Sequence, residues 1–144
     1  MKRFLLLFLA TVVTAWSASA QLSVSQLRTE HLTDPVGIGE RRPLLSWEVS
    51  DASRRGVTQS AYEIRVKSGG RTVWRTGKVA SAESAGVFYD GTPLTSDTRY
   101  TWQVRVWDDR GKASAWSRPA FWRTGLFDVG EWQARWIEPA VSDD

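Results

Sequence analysis

The 144-residue chain contains no cysteine, one histidine and one methionine. Without cysteine there is no disulfide framework, and thiolate zinc sites are excluded. His31 has no second imidazole to share a metal with. A Ser-His-Asp arrangement would need His31 to reach a strained serine, and nothing in the sequence marks one. A structural role is therefore expected of it. Also missing are a heptad, an amphipathic stripe of helical period and any low-complexity run. The longest apolar stretch, Phe4 to Val13, is about half of the roughly 20 residues that cross a bilayer. A large charge of one sign is lacking too. Lys2 and Arg3 belong to the leader described next, and without them the 19 basic side chains nearly balance the 16 acidic ones. Charge gives no support to nucleic-acid binding.

The first twenty residues have the layout of a secretory signal peptide. Lys2 and Arg3 precede the apolar run, and Ala18-Ser19-Ala20 closes it with small residues. Cleavage is expected between Ala20 and Gln21. This predicts a secreted or periplasmic protein with no membrane attachment after cleavage. No cysteine follows the leader to carry a lipid. What remains is enough for one domain. Of nine tryptophans, only Trp16 lies in the leader. A chain without disulfides must hold by packing, and each large ring buries roughly 150–250 Å².

Short alternating segments separated by turn residues predict an all-β fold. The expected strands are 22–30, 43–49, 60–67, 71–76, 84–89, 98–108 and 118–125. Between them stand DPVGIGERR, DASRRGV, SGG, GKVASAE, DGTPL and DRGK, rich in the Gly, Asp, Ser and Pro of turns. Seven strands at this spacing fit an immunoglobulin-like β-sandwich, and the absence of an inter-sheet cysteine pair favours the fibronectin type III variant. Parity then gives the core. Leu45 and Trp47 share one face with Val49. Tyr62, Ile64 and Val66 alternate with Glu63, Arg65 and Lys67. Tyr100, Trp102, Val104 and Val106 alternate with Thr101, Gln103, Arg105 and Trp107. Leu94, six residues before Tyr100, predicts a tyrosine corner in which the phenol bonds back to the preceding loop.

Trp107 has the opposite parity to Trp102 and falls on the outer face beside Arg105. Downstream, SAWS supplies Trp116, whose ring can lie against outward guanidinium groups. Arg105, Trp107, Trp116 and Trp122 form the candidate surface. Three uses are open to it: a ladder that stiffens the sandwich, a face covered by another domain, or a sugar-stacking platform.

Several stretches, taken together and in order, resemble the N-terminal fibronectin-III-like module of bacterial α-L-rhamnosidases of glycoside hydrolase family 78. They are LRTEHLTDPVGIGERRPLLSWEV, QSAYEIRV, VWRTGKVASAES, VFYDGTPLTSDTRYTWQVRVWDDRGKASAWS and FWRTGLFDVGEWQARWI. Asp34 departs from the family's more frequent Asn, and Trp122 stands where a polar residue is expected. The resemblance implies a long, exported, multidomain enzyme that removes terminal α-L-rhamnose with inversion. Its catalytic glutamates would lie in an (α/α)₆ barrel far downstream. GEWQARWIEPA resembles the linker into the next β-sandwich. The implied organisation is leader 1–20, sandwich 21–126, and linker with the start of a following domain 127–144.

No active site is expected within these residues. Inverting hydrolysis needs two carboxyls about 6.5–9.5 Å apart across a sugar. The one tempting pair, Asp108-Asp109, opens a turn closed by Gly111, where acids bond to solvent or their own backbone. Ser68-Gly69-Gly70 is a hairpin turn, not a phosphate cradle. Arg41-Arg42 and Arg54-Arg55 are loop charges, with interdomain salt bridges as the alternative. No cofactor is expected. The expected function is a non-catalytic module that docks on downstream domains of the same polypeptide. The alternative is an independent carbohydrate-binding or adhesion module, and a third reading is a sensor ectodomain.

Overall fold

The computed structural model describes residues 22–135; the expected leader and residues 136–144 lie outside the described residues. Eight strands follow one another: β1 (Leu22–Thr29), β2 (Val36–Ile38), β3 (Leu44–Asp51), β4 (Gln59–Ser68), β5 (Arg71–Arg75), β6 (Val87–Phe88), β7 (Arg99–Asp108) and β8 (Ala120–Thr124). They form a three-stranded sheet, β1-β3-β6, and a five-stranded sheet, β2-β8-β7-β4-β5. All pairings are antiparallel except that of β2 with β8. The strand after β4 pairs back onto β4, so β5 widens the larger sheet.

Alternation along β7 explains the layering. Tyr100, Trp102, Val104 and Val106 are buried between the sheets, while Thr101, Gln103, Arg105 and Trp107 face outward and are only partly covered. Leu45 and Trp47 from β3 meet them, as do Tyr62, Ile64 and Val66 from β4. The core residues expected from parity are buried, except Val49, which is partly buried against them. Where a disulfide is lacking, aromatic contacts span the core. Trp74 meets Tyr89 edge-on at 5.0 Å, Tyr89 meets Trp122 edge-on at 5.9 Å, and Trp122 stacks on Tyr100 at 5.4 Å. Such pairs contribute about 0.5–1.5 kcal/mol beyond area burial. At the other end Trp47 meets Tyr62 edge-on. The Trp47 indole donates to Gln59, whose amide donates in turn to the carbonyls of Ser81 and Glu83.

Three features differ from the sequence expectation. Trp122 is core, not surface: it is fully buried opposite Tyr100 on the paired strand. Its neighbour Phe121 takes the outer face, under Arg99. A short strand, β2, forms inside DPVGIGERR. Gly37, at φ +80°, interrupts the alternation, so period gives no sign of it. Gly125 lies so close that a β-carbon on it would sit 3.1 Å from the Gly37 carbonyl oxygen. Finally, the stretch 84–89 yields only Val87–Phe88: Gly86, at φ +79°, breaks the extended run, although the Ser84 carbonyl upstream of it still accepts from the Trp47 amide of β3.

The tyrosine corner forms as expected. The Thr95 amide donates to the Tyr100 phenol at 2.9 Å, and Leu94 is buried beneath it. Residues beyond 126 are tied to the sandwich. Phe127 packs against the core, and the Glu131 carboxylate accepts from Ser96 Oγ and from the amides of Phe127 and Asp128. These bonds hold the Glu131 pKa below its ordinary value, the Ser96 hydroxyl first.

Candidate docking face

The outer face of the five-stranded sheet is built by register. Glu63 stands opposite Arg105, Arg65 opposite Gln103, and Lys67 opposite Thr101. Arg75 on β5 stands opposite Arg65, and Arg123 on β8 opposite Arg99. Outward parity thus collects cations from four adjacent strands.

The segment after β7 adds the second indole. Ser114 and Ser117 are buried beside β7. The Ser114 amide donates to the Val106 carbonyl and its hydroxyl accepts from the Val106 amide; Ser117 does the same with Val104. Two hydroxyls therefore substitute for backbone acceptors, and the segment runs along β7 without becoming a regular strand. This pins Trp116 against the outer face.

The result is a ladder of cations and rings. Lys78 Nζ lies 4.7 Å from the Trp107 ring centre, and the Arg105 guanidinium lies 5.0 Å from Trp107 and 4.9 Å from Trp116. Arg65 closes the series, 4.2 Å from Trp116. Each contact contributes about 0.5–2 kcal/mol. Arg105, Trp107 and Trp116 therefore come together as the parity argument expects. Trp122 does not join them, since it lies in the core on the other side of the sheet.

Glu63 is the residue the sequence reading passes over. It points to the outer face yet is only 3% exposed. One oxygen accepts from Arg75 Nε at 2.6 Å, and the other from Arg105 Nε at 2.7 Å. Burial pushes its pKa up, but the bonds and charges of the two guanidinium groups outweigh this and hold it below its ordinary value. Its presence was hidden because the identity of its partners follows from register, which the sequence does not print. Arg105 thus grips Glu63 at its edge while lying over both rings.

The acids at the end of β7 have a structural use. Asp108 accepts from the amides of Arg110 and Lys112 and pairs with Arg54 at 3.2 Å. Asp109 takes both its oxygens to the same guanidinium, at 2.8 and 3.0 Å. That bond depresses its pKa, whereas a general acid needs a raised one. Arg54 is thereby spent within the domain. Arg41 pairs with Asp128 and Arg42 with Asp90, all four side chains well exposed. His31 sits in an exposed turn at φ +63°. Among the described residues no cluster of His, Cys, Asp or Glu has metal-site geometry.

Residues 24–128 match the family model described as Rha78A-like, N-terminal immunoglobulin domain. The chain is 44% identical over 121 residues to an α-L-rhamnosidase of Streptomyces avermitilis, covering 81% of this chain and 12% of the relative. It is 39% identical over 113 residues to one from Formosa agariphila, covering 73% of this chain and again 12% of the relative. The fold superposes on the crystal structure of the Streptomyces avermitilis α-L-rhamnosidase complexed with L-rhamnose with a TM-score of 0.77 and 43% identity, covering 83% of this chain and 12% of that one. For the α-L-rhamnosidase from Dictyoglumus thermophilum the TM-score is 0.75 and the identity 33%, covering 81% of this chain and 14% of that one. The chain spans about an eighth of the length of the curated relatives it matches.

Proposed function

Since the chain belongs to the family of Rha78A-like N-terminal immunoglobulin domains, we propose that it is the non-catalytic leading module of an exported α-L-rhamnosidase-like glycoside hydrolase. The observation that carries this is the family match together with its small share of each relative. The disposition of acids supports it. Among the described residues the adjacent carboxylates Asp108 and Asp109 are both held by Arg54, at 3.2 and 2.8 Å, and so are engaged within the domain and not set across a sugar site. The pairing of β5 with β4 supports the fibronectin type III subclass. The role is structural: the sandwich packs against other parts of the larger polypeptide and fixes their positions.

The module carrying its own sugar site is the competing reading. A stacking platform offers an open ring face. Here each outer indole already has two cations over it, Lys78 and Arg105 on Trp107, Arg65 and Arg105 on Trp116. The signal-peptide layout of residues 1–20 supports export to the periplasm or the medium. Mass analysis of the mature chain is expected to show Gln21 as its first residue.

Two assays test the proposal. The purified chain is expected not to hydrolyse an aryl α-L-rhamnoside; turnover abolished by Asp108→Asn would overturn the non-catalytic role. Rhamnose at millimolar concentration is expected to leave the tryptophan fluorescence unchanged. A saturable quench lost in Trp107→Ser would replace the structural role with a carbohydrate-binding one.

A further inference from the structure

The charge of this domain is segregated onto one sheet. The outer face of the five-stranded sheet gathers Arg65, Lys67, Arg75, Arg99, Arg105 and Arg123, with Lys78 joining them over Trp107. Among the described residues, the ion pairs on this face are those of Glu63 with Arg75 and Arg105 and of Asp97 with Arg123. On the three-stranded sheet the outward strand charges are Arg28 and Glu48, one of each sign, among Ser23, Ser25, Ser46 and Ser50. The ladder does not neutralise its cations, because a ring face contributes no net charge. Within the ladder Arg105 and Arg65 already donate through Nε and a terminal nitrogen, to Glu63 and to Gln103, while Lys67 and Arg99 stand exposed beside them and Arg99 lies over Phe121. A planar fork of donors is matched by a carboxylate.

We propose that this face docks on a protein surface rich in Asp and Glu. The inference rests on the reading of the chain as a module of a larger polypeptide and names the chemistry of what its outer face meets. Charge complementarity selects an acidic partner. The mixture of Trp and Arg is that of the energetic centres of protein interfaces. The covered indoles argue for a protein over a polysaccharide, since neither ring is free to stack on a sugar.

The test titrates the folded chain with poly-L-glutamate at low salt, reading tryptophan fluorescence. Expected is a saturable change that disappears in about 1 M NaCl, where the screening length is roughly 3 Å. Lys67→Glu, at an exposed position outside the ladder, is expected to weaken binding severalfold, as is Arg99→Glu. Arg28→Glu, on the opposite sheet, is expected to leave binding unchanged. Circular dichroism and an unaltered melting temperature establish that Lys67→Glu is folded. No saturable change, or equal weakening by Arg28→Glu, overturns the proposal. Polygalacturonate or polyphosphate binding as tightly as poly-L-glutamate also overturns it, in favour of a face for anionic polymers. Hydrolysis of a rhamnoside by the chain would instead defeat the non-catalytic role and leave the titration result standing.

Discussion

Trp122 lies against Tyr100 with ring centres 5.4 Å apart and planes 18° from parallel. The two residues face each other across the β7–β8 pairing, on the inner side of the sheet. Tyr100 in turn accepts from the Thr95 amide. One stacked pair therefore joins the end of the core to the tyrosine corner. Trp122→Ala is expected to cost about 3–5 kcal/mol, as Trp102→Ala and Trp47→Ala are. A surface indole would cost far less. Chemical denaturation of the three variants checks this, and a loss under about 1 kcal/mol for Trp122→Ala would put that ring back on the surface.

Gly91 tests the same end of the core from outside. A β-carbon there would meet the Tyr89 phenol oxygen at 2.5 Å and the Trp74 β-carbon at 2.6 Å. Tyr89 is held by its own bond to the Thr92 carbonyl and by contact with Trp74 and Trp122, so it has little room to give. Gly91→Ala is expected to destabilise the domain by about 1–3 kcal/mol through overpacking. A thermal midpoint equal to that of the parent chain would show that the loop yields freely.

The parts of the fold legible in the sequence are those where one parity is apolar and the other polar. In β7 the inward Tyr100, Trp102, Val104 and Val106 leave no choice, because a slip would bury Arg105 and Gln103. Trp107 follows from the same rule. In β8 Phe121 and Trp122 are adjacent aromatics of opposite parity, so alternation cannot say which is inside. Pairing with Tyr100 decides it, and pairing is non-local. Glu63 is hidden for a related reason: an outward carboxylate reads as solvated until register sets Arg105 and Arg75 around it. The cation ladder is half legible. Arg105, Trp107 and SAWS announce it, but Lys78 and Arg65 enter from other strands and loops.

Glu63 gives the domain a defined acid response. Its pKa is lowered in the folded chain relative to the ordinary value of 4.5. The carboxylate therefore contributes stability that is fully present above that value and is lost as pH falls through the lower folded one. Glu63→Gln removes the charge and leaves Arg75 and Arg105 without their anion. At neutral pH this is expected to cost about 2–4 kcal/mol, toward the low side for a buried pair because Arg75 is largely exposed. The difference between the two chains is expected to shrink as pH drops below 4.5. Melting curves across that range check the sign, and a gap that widens in acid would contradict it.

Arg105 is the joint of the outer face, and its replacement separates geometry from charge. Its guanidinium lies over Trp107 and Trp116 and bonds Glu63 through Nε and one terminal nitrogen. Lysine retains the charge but as a compact ammonium with no planar fork. It can approach Glu63 or one indole, but not span both rings while gripping the carboxylate edge. Trp107→Ser removes one partly exposed ring and two cation contacts, and is expected to cost less than about 2 kcal/mol. Arg105→Lys is expected to cost more than Trp107→Ser, because it loosens both indoles and half the cover of a buried carboxylate at once. Urea denaturation of the two variants gives the order directly. If Arg105→Lys proves the milder change, charge alone holds this face together, and the planar stacking is incidental to its stability.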